Sequence, residues 1–123
     1  MDKTIVCNVC IEGFHNWLDA PEQFEYLRSK HRHMFNIELH IPVTDSNREI
    51  EFIEEQRIIK ELLLKEFGDD KGYAQFGSMS CEHIAEWLMD KYPTATFCKV
   101  IEDTNGGATV VRKQYKNPFC WFR

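Results

Sequence analysis

Between residues 31 and 41 side-chain character alternates along the chain: His31, His33, Phe35, Ile37, Leu39 and Ile41 share one parity, while Arg32, Asn36, Glu38 and His40 share the other. Successive side chains of an extended chain point to opposite faces, so this pattern predicts a strand with one buried side. Residues 4–15 repeat it more loosely, with Ile5, Cys7, Val9 and Ile11 on one parity and Asn8 and Glu12 on the other. They form the expected first strand. The stretch 16–30 holds Asp19, Pro21 and several charges without a clean period, which predicts a connecting loop with a helical turn after Pro21.

After Pro42 the cluster Thr44-Asp45-Ser46-Asn47 is turn chemistry, and Phe52, Gln56, Ile59, Leu63 and Phe67 follow a helical spacing that ends near Gly68. Residues 69–79 read as a glycine-punctuated loop. Ser80 then caps a second helix with the apolar stripe Ile84, Trp87 and Leu88, stopped by Pro93. Residues 95–103 predict a third strand, and Asn105-Gly106-Gly107 turns it into a fourth over 108–115. The expected order is ββααββ, an α+β domain. The tail 116–123, with Phe119, Trp121 and Phe122, is too apolar to stand free in water and is expected to pack on the body or on a neighbouring subunit.

At 123 residues the chain is one domain. With 43% hydrophobic and 28% charged residues it has the composition of a soluble globular protein. No run approaches the ~18 apolar residues of a membrane helix, and the start lacks a leader's apolar core, so a cytoplasmic protein is expected. A formal charge of -5 disfavours nucleic acid, whose phosphates are met by Lys and Arg. The cysteines at positions 7, 10, 81, 98 and 120 are odd in number, and without a secretory signal they read as reduced thiols.

His31 and His33, two apart on a strand, leave the same face about 6.6 Å apart along the backbone, within chelating reach of one ion. Two imidazoles on an otherwise apolar face need partners, because an unpaired buried polar group costs ~1–3 kcal/mol. His15 ends the first strand on its apolar parity. If the two strands pair, all three imidazoles converge, and three nitrogen ligands leave zinc's fourth position open, as ligand-binding zinc sites require. Ordinary core or surface histidines are the plain alternative. A closed site from Cys7-x-x-Cys10 and the H-x-H pair is a weaker one, because Cys7 and Cys10 point to opposite faces of a straight strand. His40 has the wrong parity and His83 lies on the second helix, so neither is expected to be a ligand.

These residues carry a family resemblance. Phe14-His15, His31-Arg32-His33 opening a strand, Ile50-Glu51-Phe52 leading a helix, residues 82–88 on a second helix and Val100-Ile101-Glu102-Asp103-Thr104 on a late strand resemble the 6-pyruvoyltetrahydropterin synthase and 6-carboxytetrahydropterin synthase family. The resemblance implies the tunnelling fold, here ββααββ with an antiparallel four-stranded sheet and two helices packed on one face. It implies zinc on His15, His31 and His33, and a pterin ring whose nitrogen edge is gripped by Glu102, a task that suits a carboxylate able to accept two parallel N–H bonds. It also implies subunits that close their sheets into a barrel and bind substrate between them; open sheet edges independently favour a homo-oligomer.

The departures are specific. The family's proton-transferring cysteine has no counterpart between residues 24 and 30, where Leu27 lies near its place. The family's Asp-His pair is answered only by Asp69 and Asp70. Arg32 replaces a glycine and is expected to face away from the metal, and Glu51 replaces a common aspartate. Candidate substitutes are Asp70 as a base and Cys81, whose thiol a helix N-terminus would acidify; Glu25, Tyr26 and His83 are further candidates. Two functions follow: a zinc-dependent lyase or synthase acting on 7,8-dihydroneopterin triphosphate or a related pterin, with products feeding tetrahydropterin or deazaguanine (queuosine) synthesis, or a protein that keeps metal and ring pocket but binds without turnover. A metal-free scaffold is the third possibility.

Overall fold

The structure, a computed structural model, describes residues 1–113. In chain order it contains β1 (Lys3–His15), a 3-10 helix (Glu22–Leu27), β2 (His31–Val43), α1 (Phe52–Phe67), β3 (Ala74–Gly77), α2 (Cys81–Lys91), β4 (Phe97–Glu102) and β5 (Gly106–Val111). The strands form one five-stranded sheet in the order β3-β1-β2-β4-β5. All pairs are antiparallel except β1 with β3, which is parallel.

This corrects the expected tunnelling fold with an antiparallel four-stranded sheet, two helices and ββααββ order. The extra strand is short, with Ala74 and Phe76 inward and Gln75 and Gly77 between them. Four residues carry too little alternation to stand out from the glycine-rich stretch around them. What makes room for the parallel pair is Gly13: a Cβ there would lie 2.8 Å from the Ala74 carbonyl oxygen, so only glycine lets β3 approach. The third helix is the 3-10 turn after Pro21, which buries no residue. The tail 116–123, Cys120 and the end of the expected fourth strand lie outside the described residues.

The β1–β2 register sets Ile11 opposite Phe35, Val9 opposite Ile37, Cys7 opposite Leu39 and His15 opposite His31. Both strands therefore direct their apolar parity to one face, where these side chains join Ile59 and Leu63 of α1 and Ile84, Ala85 and Leu88 of α2 in a single core. A buried Leu, Ile or Phe contributes about 1.5–3 kcal/mol, so the shared face fixes the register. Glu51 begins α1 by accepting from the Ile53 N–H at 2.7 Å. Ser80 begins α2 by accepting from the His83 N–H at 3.1 Å, and the His83 side chain closes the reciprocal half of a capping box. Among the described residues, no helix is long and apolar enough to cross a membrane.

Candidate metal centre

The apolar row of β2 changes to imidazoles at its first two inward positions, just where β1 ends. His15 and His31 are cross-strand partners, and His33 follows on the same face. Their ring centroids lie 4.5 Å (His15–His31), 5.4 Å (His15–His33) and 4.9 Å (His31–His33) apart. One ring nitrogen from each lies within 4.8 Å of the other two, so the three form a candidate ligand set. Phe35 closes the floor, its ring edge-on to His15 at 5.2 Å and to His33 at 5.8 Å.

Hydrogen bonding fixes which nitrogen each ring presents. His15 Nδ1 lies 2.9 Å from the Met79 carbonyl oxygen, His31 Nδ1 2.9 Å from the Ser29 carbonyl oxygen and His33 Nδ1 2.8 Å from Asp103 Oδ2. Carbonyl and carboxylate oxygens only accept, so each Nδ1 donates, and Nε2 is the nitrogen of each ring left for another partner. That is the arrangement of metal-bound histidine, whose second nitrogen donates to an oxygen behind it.

His15 makes the strongest test of whether a cation fits. Burial, the dominant influence, pushes its pKa below the ordinary histidine value of 6.5, outweighing the Met79 bond and the charge of Glu102 that favour protonation. Its Nε2 is buried and has no hydrogen-bond partner among the described residues, yet it lies 2.9 Å from Glu102 Oε1. The pair is close but not aligned as a hydrogen bond, and with Nδ1 donating to Met79 a neutral His15 meets Glu102 as one acceptor facing another. A lone pair and a carboxylate oxygen repel at that range unless a cation sits among them, and depression of the His15 pKa argues against a proton. A divalent ion on three imidazoles answers both problems, and nitrogen donors suit zinc.

Glu102 faces the cluster with both oxygens, Oε2 lying 3.3 Å from His33 Nε2. Cys81 Sγ donates to Glu102 Oε1 at 3.4 Å. The Cys81 thiol is therefore not acidified as its place at a helix start suggested: burial first, then the Glu102 charge, pushes it up to about 12. Desolvation and a neighbouring carboxylate outweigh the helix terminus. Asp70 is exposed and outside the cavity that His15 and His31 line. Its neighbour Asp69 is held below the usual carboxylate range chiefly by Gln75, and also accepts from the Tyr73 and Lys71 N–H groups, shaping the loop. Glu25 and Tyr26 are exposed and also outside the cavity.

That cavity, about 530 Å³, opens beside His15 and His31 and is also lined by Glu102, Cys81, His83, Trp17 and Leu27. His83 Nδ1 is occupied, accepting from Ser80 N at 3.2 Å and facing Ser80 Oγ at 3.1 Å. Arg32 pairs with Glu12 on the opposite face of the sheet. Cys7 is buried and Cys10 exposed, so the alternative Cys-His site does not assemble. The sequence reading missed Trp17 on the cavity wall and the three oxygens behind the rings. Met79 and Ser29 act through their backbone and leave no sequence signal.

No protein-family model and no curated protein matches the sequence. Among solved structures the chain is similar to the uncharacterized protein WS1659 from Wolinella succinogenes, at a TM-score of 0.65 and 14% sequence identity, over 92% of this chain and 99% of that one. At that identity the likeness extends to the fold alone.

Proposed function

We propose that this chain holds zinc with His15, His31 and His33 and acts as a synthase or lyase on 7,8-dihydroneopterin triphosphate or a related pterin. The observation that carries the reading is that one ring nitrogen from each of three histidines lies within 4.8 Å of the other two, with the buried His15 Nε2 lacking a hydrogen-bond partner among the described residues and lying beside a carboxylate. Zinc at that place would act as a Lewis acid on a hydroxyl or carbonyl oxygen of the substrate side chain. The cavity is of a size for a small molecule. Glu102, which lines the cavity and already accepts from the Cys81 thiol at Oε1, would turn its carboxylate from the imidazoles to accept paired N–H bonds from an amino-pyrimidine edge.

A second reading, binding of a pterin-like or purine-like ring without turnover, is favoured by a specific observation. Cys81 is held as a thiol and Asp70 lies outside the cavity, so neither expected proton-transfer group is poised at the metal. The outer edges of β3 and β5, unpaired among the described residues, support a homo-oligomer in which a neighbour completes the pocket, and the reading carries with it a cytoplasmic setting. Metal analysis of the purified protein beside a turnover assay on 7,8-dihydroneopterin triphosphate separates the readings. Zinc with consumption supports the first, and zinc with ring binding but no consumption supports the second. A metal-free protein that binds no pterin overturns both.

A further inference from the structure

The three oxygens behind the ligand histidines differ in kind. His15 and His31 donate to backbone carbonyls, whereas His33 donates to the side chain of Asp103, 70 residues away in sequence. That carboxylate accepts twice, at Oδ2 from His33 Nδ1 at 2.8 Å and at Oδ1 from the Met34 N–H at 2.9 Å. Its backbone is wired to the same strand: the Asp103 N–H donates to the Met34 carbonyl at 2.7 Å, and Asn36 Nδ2 donates to the Asp103 carbonyl at 2.7 Å. The residue adopts φ 55°, a left-handed conformation that side chains other than glycine rarely enter, in the turn between β4 and β5. A strained backbone held by four hydrogen bonds, with both carboxylate oxygens used as acceptors, is a fixed platform for one ring.

We propose that Asp103 is a positioning residue that keeps the His33 proton on Nδ1, so that Nε2, which lies 3.3 Å from Glu102 Oε2, is the nitrogen turned to the candidate metal position. It rests on the metal reading for its purpose, but the tautomer itself belongs to the metal-free protein. Because two donors already meet its two oxygens, exchanging one oxygen for an NH2 group forces a choice. In Asp103→Asn the remaining oxygen keeps the Met34 N–H and the amide presents a donor to His33 Nδ1. His33 then accepts at Nδ1 and carries its proton on Nε2, the atom the metal needs.

The experiment is nitrogen-15 NMR of the histidine rings in the metal-free protein, paired with zinc affinity by competition titration. Wild type is expected to show His33 protonated on Nδ1 and Asp103→Asn on Nε2, with zinc affinity reduced about 10- to 100-fold, the usual cost of losing such an outer partner. Asp103→Gly, which suits the positive φ, serves as the second variant and is expected to populate both tautomers. Retention of the proton on Nδ1 in both variants overturns the proposal, because a merely structural Asp103 would leave the tautomer alone. If wild type binds no zinc, the metal reading falls, while the tautomer measurement still decides the role of Asp103.

Discussion

The two faces of the sheet treat histidine in opposite ways. On the open face His40 Nε2 lies 2.6 Å from Glu38 Oε2, and its ring stacks on Phe97 with centroids 4.3 Å apart. Its needs are met by a residue two positions away and by the neighbouring strand. On the helix-covered face His15, His31 and His33 place Nδ1 against oxygens behind them and bring one ring nitrogen from each within 4.8 Å of the other two. A histidine met by its neighbours reads as structural. Three that bring a ring nitrogen together, one of them buried without a hydrogen-bond partner among the described residues, form a candidate site, and counting histidines would not have told the two cases apart.

The sharpest way to break this contrast is metal content. The double variant His31→Ala, His33→Ala is expected to lose zinc from about one equivalent per chain to background, while His40→Ala keeps it. Equal depletion by both would erase the distinction between the faces.

Thiol chemistry should divide the faces next most strongly. Burial pushes Cys7 to about 11 and Cys81 and Cys98 to about 12, and a thiol at 12 is ionised to only about one part in ten thousand at pH 8. Among Cys7, Cys10, Cys81 and Cys98, alkylation at pH 8 followed by peptide mass spectrometry should mark the exposed Cys10 first. The three buried thiols should follow only on unfolding or at much higher pH. Early labelling of Cys81 would revive it as a reactive group.

Packing comes third. Phe35 is fully buried under the imidazoles, so Phe35→Ala should cost about 3–5 kcal/mol in urea unfolding. Asn36→Ala, one residue along on the open face, removes the 2.7 Å bond to the Asp103 carbonyl and should cost about 1 kcal/mol.

The smallest effect belongs to the His40–Glu38 pair. His40 first, then Lys99, holds Glu38 below its ordinary value of 4.5. A depressed carboxylate stabilises the fold above its unfolded-state pKa, and that contribution fades as pH falls through the folded-state value. Stability measured at pH 7 and pH 3 should therefore differ less in Glu38→Gln, by about 0.5 kcal/mol for a part-buried pair still open to solvent screening.

What was legible in the sequence was local parity. Alternation at 31–41 and 5–11 placed the imidazoles and the apolar row on one side of each strand, because period-2 exposure is written residue by residue. What was not legible depended on distant neighbours. β3 exists because Gly13 admits it, a fact about a pairing across some 60 residues rather than about residues 74–77. Cys81 reads as acidified from its helix position, yet its real neighbours are Glu102 and the core, and they move it the other way. Asp103 resembles any turn acid until β4 lies beside β2.

The pairing of His15 with His31 closes the end of β1–β2 from which residues 16–30 depart. An ion gripped there would act as a rivet as well as a reagent. Sliding one strand past the other by a single residue would swing an imidazole to the wrong side and dismantle the grip. Occupancy would thus proofread strand alignment, and slowed amide exchange at the mouth of the 16–30 excursion, at the Asn16 and Trp17 N–H groups that donate to Gly77 and Leu27, would register it independently of any turnover.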